Sequence, residues 1–181
     1  PANFDAYHHY SRLFKAAVAT IAPRIEDRGI DEIYLELSDH EEDSRSLAQR
    51  IQKAVFEATG LSCSIGISPN KLLSKIGSDL EKPRGITVLT LEDVPTRIWP
   101  LAVKKINGIG PKASERLAKL GIHTISELAG APQELLVAHF GSSTGHWMRR
   151  VAHGIDERPI VVESEPKSIS RESTFERDLH A

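Results

Sequence analysis

Cysteine, methionine and long apolar runs are scarce in this chain of 181 residues, which contains one Cys and one Met. A single cysteine cannot form an internal disulfide, so the sequence excludes a secreted scaffold that depends on disulfides. Polar residues interrupt every apolar run after a few positions, whereas a helix needs about 20 apolar residues to span a bilayer. The first residues also lack the basic and apolar regions of a signal peptide. We therefore expect an intracellular protein with no membrane role.

Neither sign of charge dominates, since 23 Lys and Arg stand against 25 Asp and Glu. The resulting net charge of −2 argues against a nucleic-acid binder that is basic throughout. The charges are unevenly spread, however. Residues 24–45 contain nine acidic residues and three Arg, whereas residues 101–120 contain five basic residues and one Glu. The average therefore conceals an acidic region followed by a basic one.

The first half of the chain alternates between helical and strand patterns. Apolar residues recur every three or four positions in residues 4–21 and 44–59, which predicts two amphipathic helices. Apolar and polar residues alternate on both sides of Gly29, which predicts a β-hairpin over residues 24–37. A strand at 61–68, a helix opened by Ser68 and Pro69, and a strand at 85–90 follow. The order α-β-β-α-β-α-β predicts an α+β fold.

The character of the sequence changes near residue 95. Short helical patterns with no strand follow, separated by glycine turns, at residues 94–101, 111–120, 124–128, 132–140 and 145–153. From residue 163 onward the chain is polar and lacks helical periodicity, as in a linker. We therefore predict a first domain at residues 1–95, a helical second domain at 96–162 and a connector at 163–181.

Two adjacent carboxylates, Asp31 and Glu32, form the first candidate site, at the bend of the predicted hairpin. Neighbours on an ideal strand point to opposite faces, so both serve one site only if the turn redirects one of them, which Gly29 makes feasible. Clustered carboxylates suit Mg²⁺, and two-metal sites use them to bridge ions that hold phosphates. An acidic turn on the surface is the alternative, and spacing alone favours it because adjacent Asp and Glu residues are common.

The second candidate is the glycine-rich loop at residues 106–112, Ile-Asn-Gly-Ile-Gly-Pro-Lys, which precedes a predicted helix. Glycines let backbone amides approach a phosphate, and a helix N-terminus adds positive potential. Lys104, Lys105 and Lys112 supply charge that neutralises phosphates. The pattern resembles a helix-hairpin-helix motif, which holds a nucleic-acid backbone without reading its sequence. A simple glycine turn between packed helices is the alternative.

Other conspicuous residues carry weaker signals. Lys71, Lys75 and Lys82 lie on one face of the helix after Pro69, and such faces are usually solvated. Cys63 falls on the apolar side of its strand, so we expect it in the core. Trp99 and Trp147 lie in apolar helical settings, where core packing is the usual role.

Five segments, spread over nearly the whole chain, form a recognisable series. They are residues 28–37 (RGIDEIYLEL), 63–79 (CSIGISPNKLLSKIGSD), 81–85 (EKPRG), 105–112 (KINGIGPK) and 166–175 (PKSISRESTF). In this order they resemble the Y-family of translesion DNA polymerases, and in particular its bacterial DNA polymerase IV (DinB) branch. The resemblance implies a DNA-directed DNA polymerase of the bacterial cytoplasm, which acts in damage tolerance.

The resemblance also implies roles for individual residues. Asp31 and Glu32 would be catalytic ligands of two Mg²⁺ ions on a palm sheet flanked by helices, and Lys82 would contact the triphosphate of the incoming dNTP. Residues 96–162 would be the thumb, whose helix-hairpin-helix holds the primer backbone through Lys104, Lys105, Asn107, Gly108, Ile109, Gly110 and Lys112. Residues 163–181 would lead toward a little-finger domain. The reaction would be attack of a primer 3′-hydroxyl on the α-phosphate of the dNTP, with release of pyrophosphate.

The chain departs from the family pattern in two respects. Gly29 stands where most relatives carry a small hydroxyl residue, and we expect this to alter the hairpin slightly without disturbing the carboxylates. The segments that carry another metal-binding Asp, the fingers and the little finger do not occur in the sequence, so we expect a fragment that does not polymerise alone. Its partners would be primer–template DNA and dNTP, with any sliding-clamp contact made through other segments, and we expect a monomer.

Two other functions remain open. A nucleotidyl cyclase also uses a palm-like sheet with paired carboxylates, but it has no need of a downstream motif that holds a nucleic-acid backbone. A non-catalytic DNA-binding relative would carry vestigial carboxylates, and the presence of both Asp31 and Glu32 argues against it.

Overall fold

The first half of the chain follows the predicted order of elements. The computed structural model describes residues 3–162, so the segment at 166–175 and the connector lie outside the described residues. The elements are α1 (Phe4–Ala19), β1 (Ile25–Asp27), β2 (Ile33–Leu35), α2 (Ser44–Thr59), β3 (Ile65–Ile67), α3 (Lys71–Leu80) and β4 (Ile86–Val88). The α+β fold class is confirmed.

The second half is helical, as predicted. It contains a π-helical turn (Val94–Ile98), a 3-10 turn (Val103–Lys105), α4 (Pro111–Lys119), α5 (Ile125–Gly130), α6 (Gln133–Phe140) and α7 (Ser142–Ala152). The β-structure described beyond residue 95 is one isolated antiparallel bridge between Ala102 and Thr124. Within residues 3–162, no helix combines the length and the apolar character that crossing a membrane requires.

The sheet is split into two pairs of strands, which the sequence did not reveal. β1 and β2 pair antiparallel, with Ile25 opposite Leu35 and Asp27 opposite Ile33. β3 and β4 pair in parallel and form a separate sheet. Each strand has only three residues, so the strand predicted at 61–68 shortens to Ile65–Ile67. Alternation of apolar residues shows that one face of the segment is buried. The length of the strand, however, is set by how many of its residues pair with the neighbouring strand.

Two predicted helix starts are corrected by the structure. Asn70 caps α3 in place of Ser68, because the Asn70 side chain accepts a hydrogen bond from the amide of Leu73 at 3.0 Å. α7 begins at Ser142, three residues before the predicted start at Gly145. Gly145 lies inside α7 because α6 packs closely there: a Cβ atom would lie 2.7 Å from the amide nitrogen of Val137.

Residues 3–162 contain two apolar clusters, and the larger one crosses residue 95. The smaller cluster joins α1 and α2 to the hairpin around Val18, Leu47, Ile51 and Val55. The larger cluster begins on α3 with Leu72, Leu73 and Ile76 and continues through the helices of the second half as far as Ala152. The helical half therefore packs directly on α3. The domain limits given above remain a prediction.

Residues 154–162, which we call the return segment, run back from α7 to the first half of the chain. The Asp156 carboxylate accepts the amide of Leu72 at 3.0 Å and so satisfies a free N–H in the first turn of α3. The Asn70 side chain donates to the carbonyl of Gly154 at 2.8 Å, and the amide of Val161 donates to Glu26 at 2.8 Å. These bonds attach the return segment both to α3 and to the hairpin.

Candidate active site

Asp31 and Glu32 lie in the turn that connects β1 to β2, just before the first residue of β2. The amide of Arg28 donates to the carbonyl of Glu32 at 3.0 Å, which closes the turn. Gly29 has a φ of 132°, a backbone conformation that side chains other than glycine rarely adopt. Because the pair lies in a turn, the strict alternation of a strand does not separate the two carboxylates, and both line the same cavity.

This cavity, of about 630 Å³, lies between the two sheets. β2 contributes Ile33 and Leu35, and β3 contributes Ile65 and Ile67. Helix α3 contributes polar side chains, namely Lys71, Ser74, Lys75 and Ser78. Among the described residues, β2 pairs only with β1 and β3 only with β4, so each has one free edge. The cavity is therefore lined both by apolar residues of the strands and by charged residues of α3 and the turn.

Two lysines of α3 bind acidic residues of the hairpin. The Lys75 ammonium lies 2.6 Å from the Glu32 carboxylate, and both side chains are partly exposed. The Lys71 ammonium lies 2.7 Å from Glu26 and also donates to the carbonyl of Pro159 at 2.8 Å. The Lys71 and Glu26 side chains are only 9% and 7% exposed, so Lys71 does not belong to a solvated face.

Burial and neighbouring charges shift the pKa values of Glu26 and Tyr34. Burial alone would raise the pKa of Glu26, but the hydrogen bonds from Lys71 and the Val161 amide, with the charges of Lys71 and Arg28, hold it below its usual value. Burial and the neighbouring charge of Glu32 raise the pKa of Tyr34. The Glu26 carboxylate is therefore charged and the Tyr34 phenol protonated at neutral pH.

The described residues do not complete a site for two metal ions. Asp31 is exposed, while the carboxylate of Glu32 is already engaged by Lys75. Within residues 3–162, no group of three or more His, Cys, Asp or Glu side chains is arranged to hold a metal. Two neighbouring carboxylates are fewer than the clustered set that bridges two ions in phosphoryl-transfer sites. The pair by itself therefore does not fit the two Mg²⁺ ions expected from the resemblance.

Lys82 lies just beyond the end of α3 and is separate from the residues that line the cavity. Its ammonium lies 2.6 Å from the Asp79 carboxylate, and its side chain is 58% exposed. Burial acts to raise the pKa of Asp79, but the hydrogen bond from Lys82 and the charges of Lys82, Lys75 and Lys105 lower it. Asp79 is therefore close to three lysines: Lys75 on α3, Lys82 just beyond it and Lys105 in the 3-10 turn.

The glycine-rich loop forms a compact turn between the 3-10 turn and α4. Gly110 precedes α4, and Pro111 occupies its first position, where a missing N–H costs no hydrogen bond. Gly108 has a φ of 106°, and a Cβ atom there would lie 2.8 Å from the Trp147 ring. The loop therefore requires glycine at 108 both for its backbone and for its contact with α7.

The predicted DNA-binding residues divide into two groups in the structure. Six of them are exposed, namely Lys104, Lys105, Asn107, Gly108, Gly110 and Lys112. Ile109 is 4% exposed and packs in the larger apolar cluster, and its amide donates to the carbonyl of Ile106 at 3.0 Å. Ile109 thus fixes the shape of the loop, while the other six present the polar surface.

Sequence reasoning missed the partners of the carboxylates. Lys75 and Glu32 are 43 positions apart, and Lys71 and Glu26 are 45 apart, so no local pattern links them. Lys15 on α1, which donates to Asp27 and to the carbonyl of Gly29, was also missed. The only signal was the four-residue spacing of Lys71 and Lys75 on one helix face. Cys63 and both tryptophans are partly buried and pack against the apolar clusters, as expected.

Comparison with known proteins supplies the wider context for this geometry. A profile described as the impB/mucB/samB family matches residues 1–79, and one described as the IMS family HHH motif matches residues 92–122. DNA polymerase IV of Moorella thermoacetica is 38% identical over 98% of this chain, and DNA polymerase IV of Pseudomonas aeruginosa is 40% identical over 97%. The chain belongs to the Y-family of DNA polymerases, on the DNA polymerase IV branch. The resemblance noted in the sequence is confirmed.

A solved structure gives the same result for the Y-family fold. A Y-family DNA polymerase chimera superposes with a TM-score of 0.81 over 91% of this chain, at 26% identity, and 49% of the chimera is covered. The chain spans 46% of the Moorella polymerase and 51% of the Pseudomonas polymerase. It therefore corresponds to about half the length of the Y-family relatives it matches. The helix-hairpin-helix predicted from the glycine-rich loop is confirmed by the matching motif.

Proposed function

We propose that this chain forms part of the palm and the thumb of a translesion DNA polymerase that transfers dNTPs to a primer 3′-hydroxyl. One observation carries the proposal. The adjacent carboxylates Asp31 and Glu32 share a cavity in a protein that also presents a helix-hairpin-helix with exposed lysines, and both features occur in one Y-family chain. A carboxylate pair serves nucleotidyl transfer, and a basic hairpin serves a phosphate backbone.

In this proposal Asp31 and Glu32 are two of the ligands for Mg²⁺, and the remaining ligand comes from another part of the polymerase. The cavity between β2 and β3 supports this idea, because both strands have a free edge there among the described residues. A strand inserted between them would join the two sheets and bring a further side chain beside Asp31. Lys75 keeps the charge of Glu32 neutralised while the site is incomplete.

We assign substrate binding to the exposed lysines. Lys82 binds the triphosphate of the dNTP and exchanges its present partner, Asp79, for phosphate oxygens. Lys104, Lys105 and Lys112, with the loop at Asn107, Gly108 and Gly110, hold the primer backbone of a primer–template duplex, and Ile109 supports the loop from the core. Because these contacts go to phosphates, binding is independent of sequence. We propose that the polymerase works as a monomer in the bacterial cytoplasm.

The test is fluorescence anisotropy of a labelled primer–template duplex titrated with the chain at several salt concentrations. Each lysine that contacts a phosphate contributes about 0.9 to the slope of log affinity against log salt. The variant Lys104→Ala/Lys105→Ala/Lys112→Ala should therefore lose nearly three units of slope. Between 50 and 200 mM salt, the three contacts together account for about a 40-fold change in affinity.

The matched control is Arg45→Ala/Arg50→Ala/Lys53→Ala, which removes the same charge from exposed positions on α2. This control should bind as the parent chain does, and a second duplex of unrelated sequence should bind equally well. If the lysine triple variant binds as tightly as the parent at low salt, the proposed DNA contact is wrong. The parent chain should not extend the primer with Mg²⁺ and dNTPs present, and extension would contradict an incomplete carboxylate set.

A further inference from the structure

The turn that carries Asp31 and Glu32 is closed by the hydrogen bond from the Arg28 amide to the Glu32 carbonyl, but it contains a glycine at position 29. Gly29 lies two residues before Asp31, and no heavy atom lies within 4 Å of the position that a Cβ would take there. Glycine loses more backbone entropy on folding than any other residue, so this turn needs bonds from elsewhere to stay in one conformation. Glu32 is held by Lys75, whereas Asp31 is exposed.

Lys15 supplies the missing bonds from α1. Its ammonium donates to the Asp27 carboxylate at 2.7 Å and to the carbonyl of Gly29 at 2.7 Å. The other oxygen of Asp27 accepts the amide of Gly29 at 2.9 Å. The carbonyl of Gly29 is therefore bound by Lys15 and its amide by Asp27. Lys15 and Asp27 are themselves an ion pair. Each of these hydrogen bonds has at least one charged partner, and such bonds are stronger than bonds between neutral groups.

The Lys15 side chain is itself held in position on α1. Its side chain is 22% exposed, and its ammonium lies 5.8 Å from the centre of the Phe14 ring. Phe14 packs against the smaller apolar cluster, so α1 is anchored next to Lys15. The hydrogen bond from Lys15, together with the Gly29 amide, lowers the pKa of Asp27 below its usual value. The ion pair is thus formed throughout the neutral range.

We propose that Lys15 is a positioning residue, which clamps the turn at residues 27–32 so that Asp31 stands beside Glu32 before any ligand arrives. The Asp31 carboxylate has no part in the bonds that hold the turn, so its position follows the backbone that Lys15 fixes. The clamp compensates for glycine at position 29. The proposal rests on the proposed function for the use of Asp31, but its test measures only the turn, without DNA, nucleotide or metal.

The experiment compares four isotope-labelled chains by NMR: the parent, Lys15→Met, Lys15→Arg and the control Lys53→Met. Methionine keeps an apolar stem beside Phe14 and removes the ammonium, whereas Lys53 forms an exposed pair with Glu57 on α2. In Lys15→Met, the amide of Gly29 should exchange about tenfold faster, as expected for loss of one charged hydrogen bond. The order parameters of residues 29–32 should fall toward those of a flexible loop.

Rescue separates positioning from general stability. Lys15→Arg should restore both the slow exchange and the order of residues 29–32, and Lys53→Met should match the parent. If Lys15→Met unfolds the chain, Asp27→Asn decides, because it removes the ion pair and keeps an oxygen for the Gly29 amide. Faster turn exchange in Asp27→Asn supports the clamp. The proposal is overturned if the Gly29 amide exchanges as slowly in the folded Lys15→Met or Asp27→Asn variant as in the parent. It is also overturned if Lys15→Arg does not restore slow exchange.

Discussion

Removal of the Lys71 ammonium should cost more stability than any change to an exposed charge in this chain. Lys71→Met keeps most of the apolar stem but leaves the Glu26 carboxylate, 7% exposed, without its nearest cation. Breaking a buried ion pair by removing one partner costs about 3 to 5 kcal/mol. Glu26 would retain the Val161 amide at 2.8 Å and Arg28 at 3.6 Å, so we expect the lower end, about 3 kcal/mol.

This loss is measurable by circular dichroism during thermal and denaturant unfolding. For a chain of this size, about 3 kcal/mol corresponds to a fall in Tm of roughly 6–12 °C. The matched control is Lys53→Met, which removes an exposed partner of Glu57 at 3.7 Å and should cost no more than about 0.5 kcal/mol. Glu26→Gln isolates the other half of the pair, because it removes the charge and keeps an acceptor for Val161.

The double variant tests whether the two charges act as a pair. In Lys71→Met/Glu26→Gln no buried charge is left alone, so the double variant should be less destabilised than the sum of the two single variants. A cost for Lys71→Met equal to that of Lys53→Met would refute the reasoning. Strict additivity in the double variant would also refute it, because the two charges would then act independently.

Two further outcomes follow from the same structure. Because the pKa of Glu26 is lowered in the folded state, its contribution is present above its unfolded pKa of about 4.5 and is lost as pH falls through the lower folded value. The Tm of the parent should therefore fall more steeply than that of Glu26→Gln between about pH 5 and pH 2, and parallel curves would contradict this. Gly108→Ala should cost about 2 kcal/mol, from its φ of 106° and the contact with Trp147, whereas Gly110→Ala, at a φ of −76° with open space around it, should leave Tm unchanged. Equal Tm values for the two alanine variants in a thermal melt would show that the loop does not need glycine at 108.

The sequence predicted the elements of the first half well because each has a strong local signal. Helix α2 occupies residues 44–59 as predicted and ends at Gly60, which has the left-handed conformation typical of a helix end. The start of α3 was misplaced by two residues, since Ser68 and Asn70 are both good caps and only the fold selects Asn70. The split of the sheet could not be predicted, because strand pairing depends on distant segments.

The candidate site was only partly accessible to sequence reasoning. Asp31 and Glu32, the lysines and the glycines of the loop were identified from residue type and spacing. Burial of Lys71 was not, because a lysine on a helix face is normally solvated and its carboxylate partner lies on β1. Lys15 was overlooked for the same reason. Each of these lysines acquires its role from an acidic residue or a carbonyl that the chain brings in from another element.

The sequence by itself determined the order of helices and strands, the adjacent carboxylates, the glycine-rich loop and the membership of the Y-family. The first three depend on residue types at short spacing, because local backbone geometry depends on neighbouring residues. Membership of the family follows from the order of five segments along the chain. The tertiary structure alone decided that Lys15 holds the Gly29 turn, that Lys75 binds Glu32 and that Lys71 is buried with Glu26. It could do so because packing brings α1 and α3 against one hairpin, and charges separated by dozens of residues become neighbours only when those elements meet.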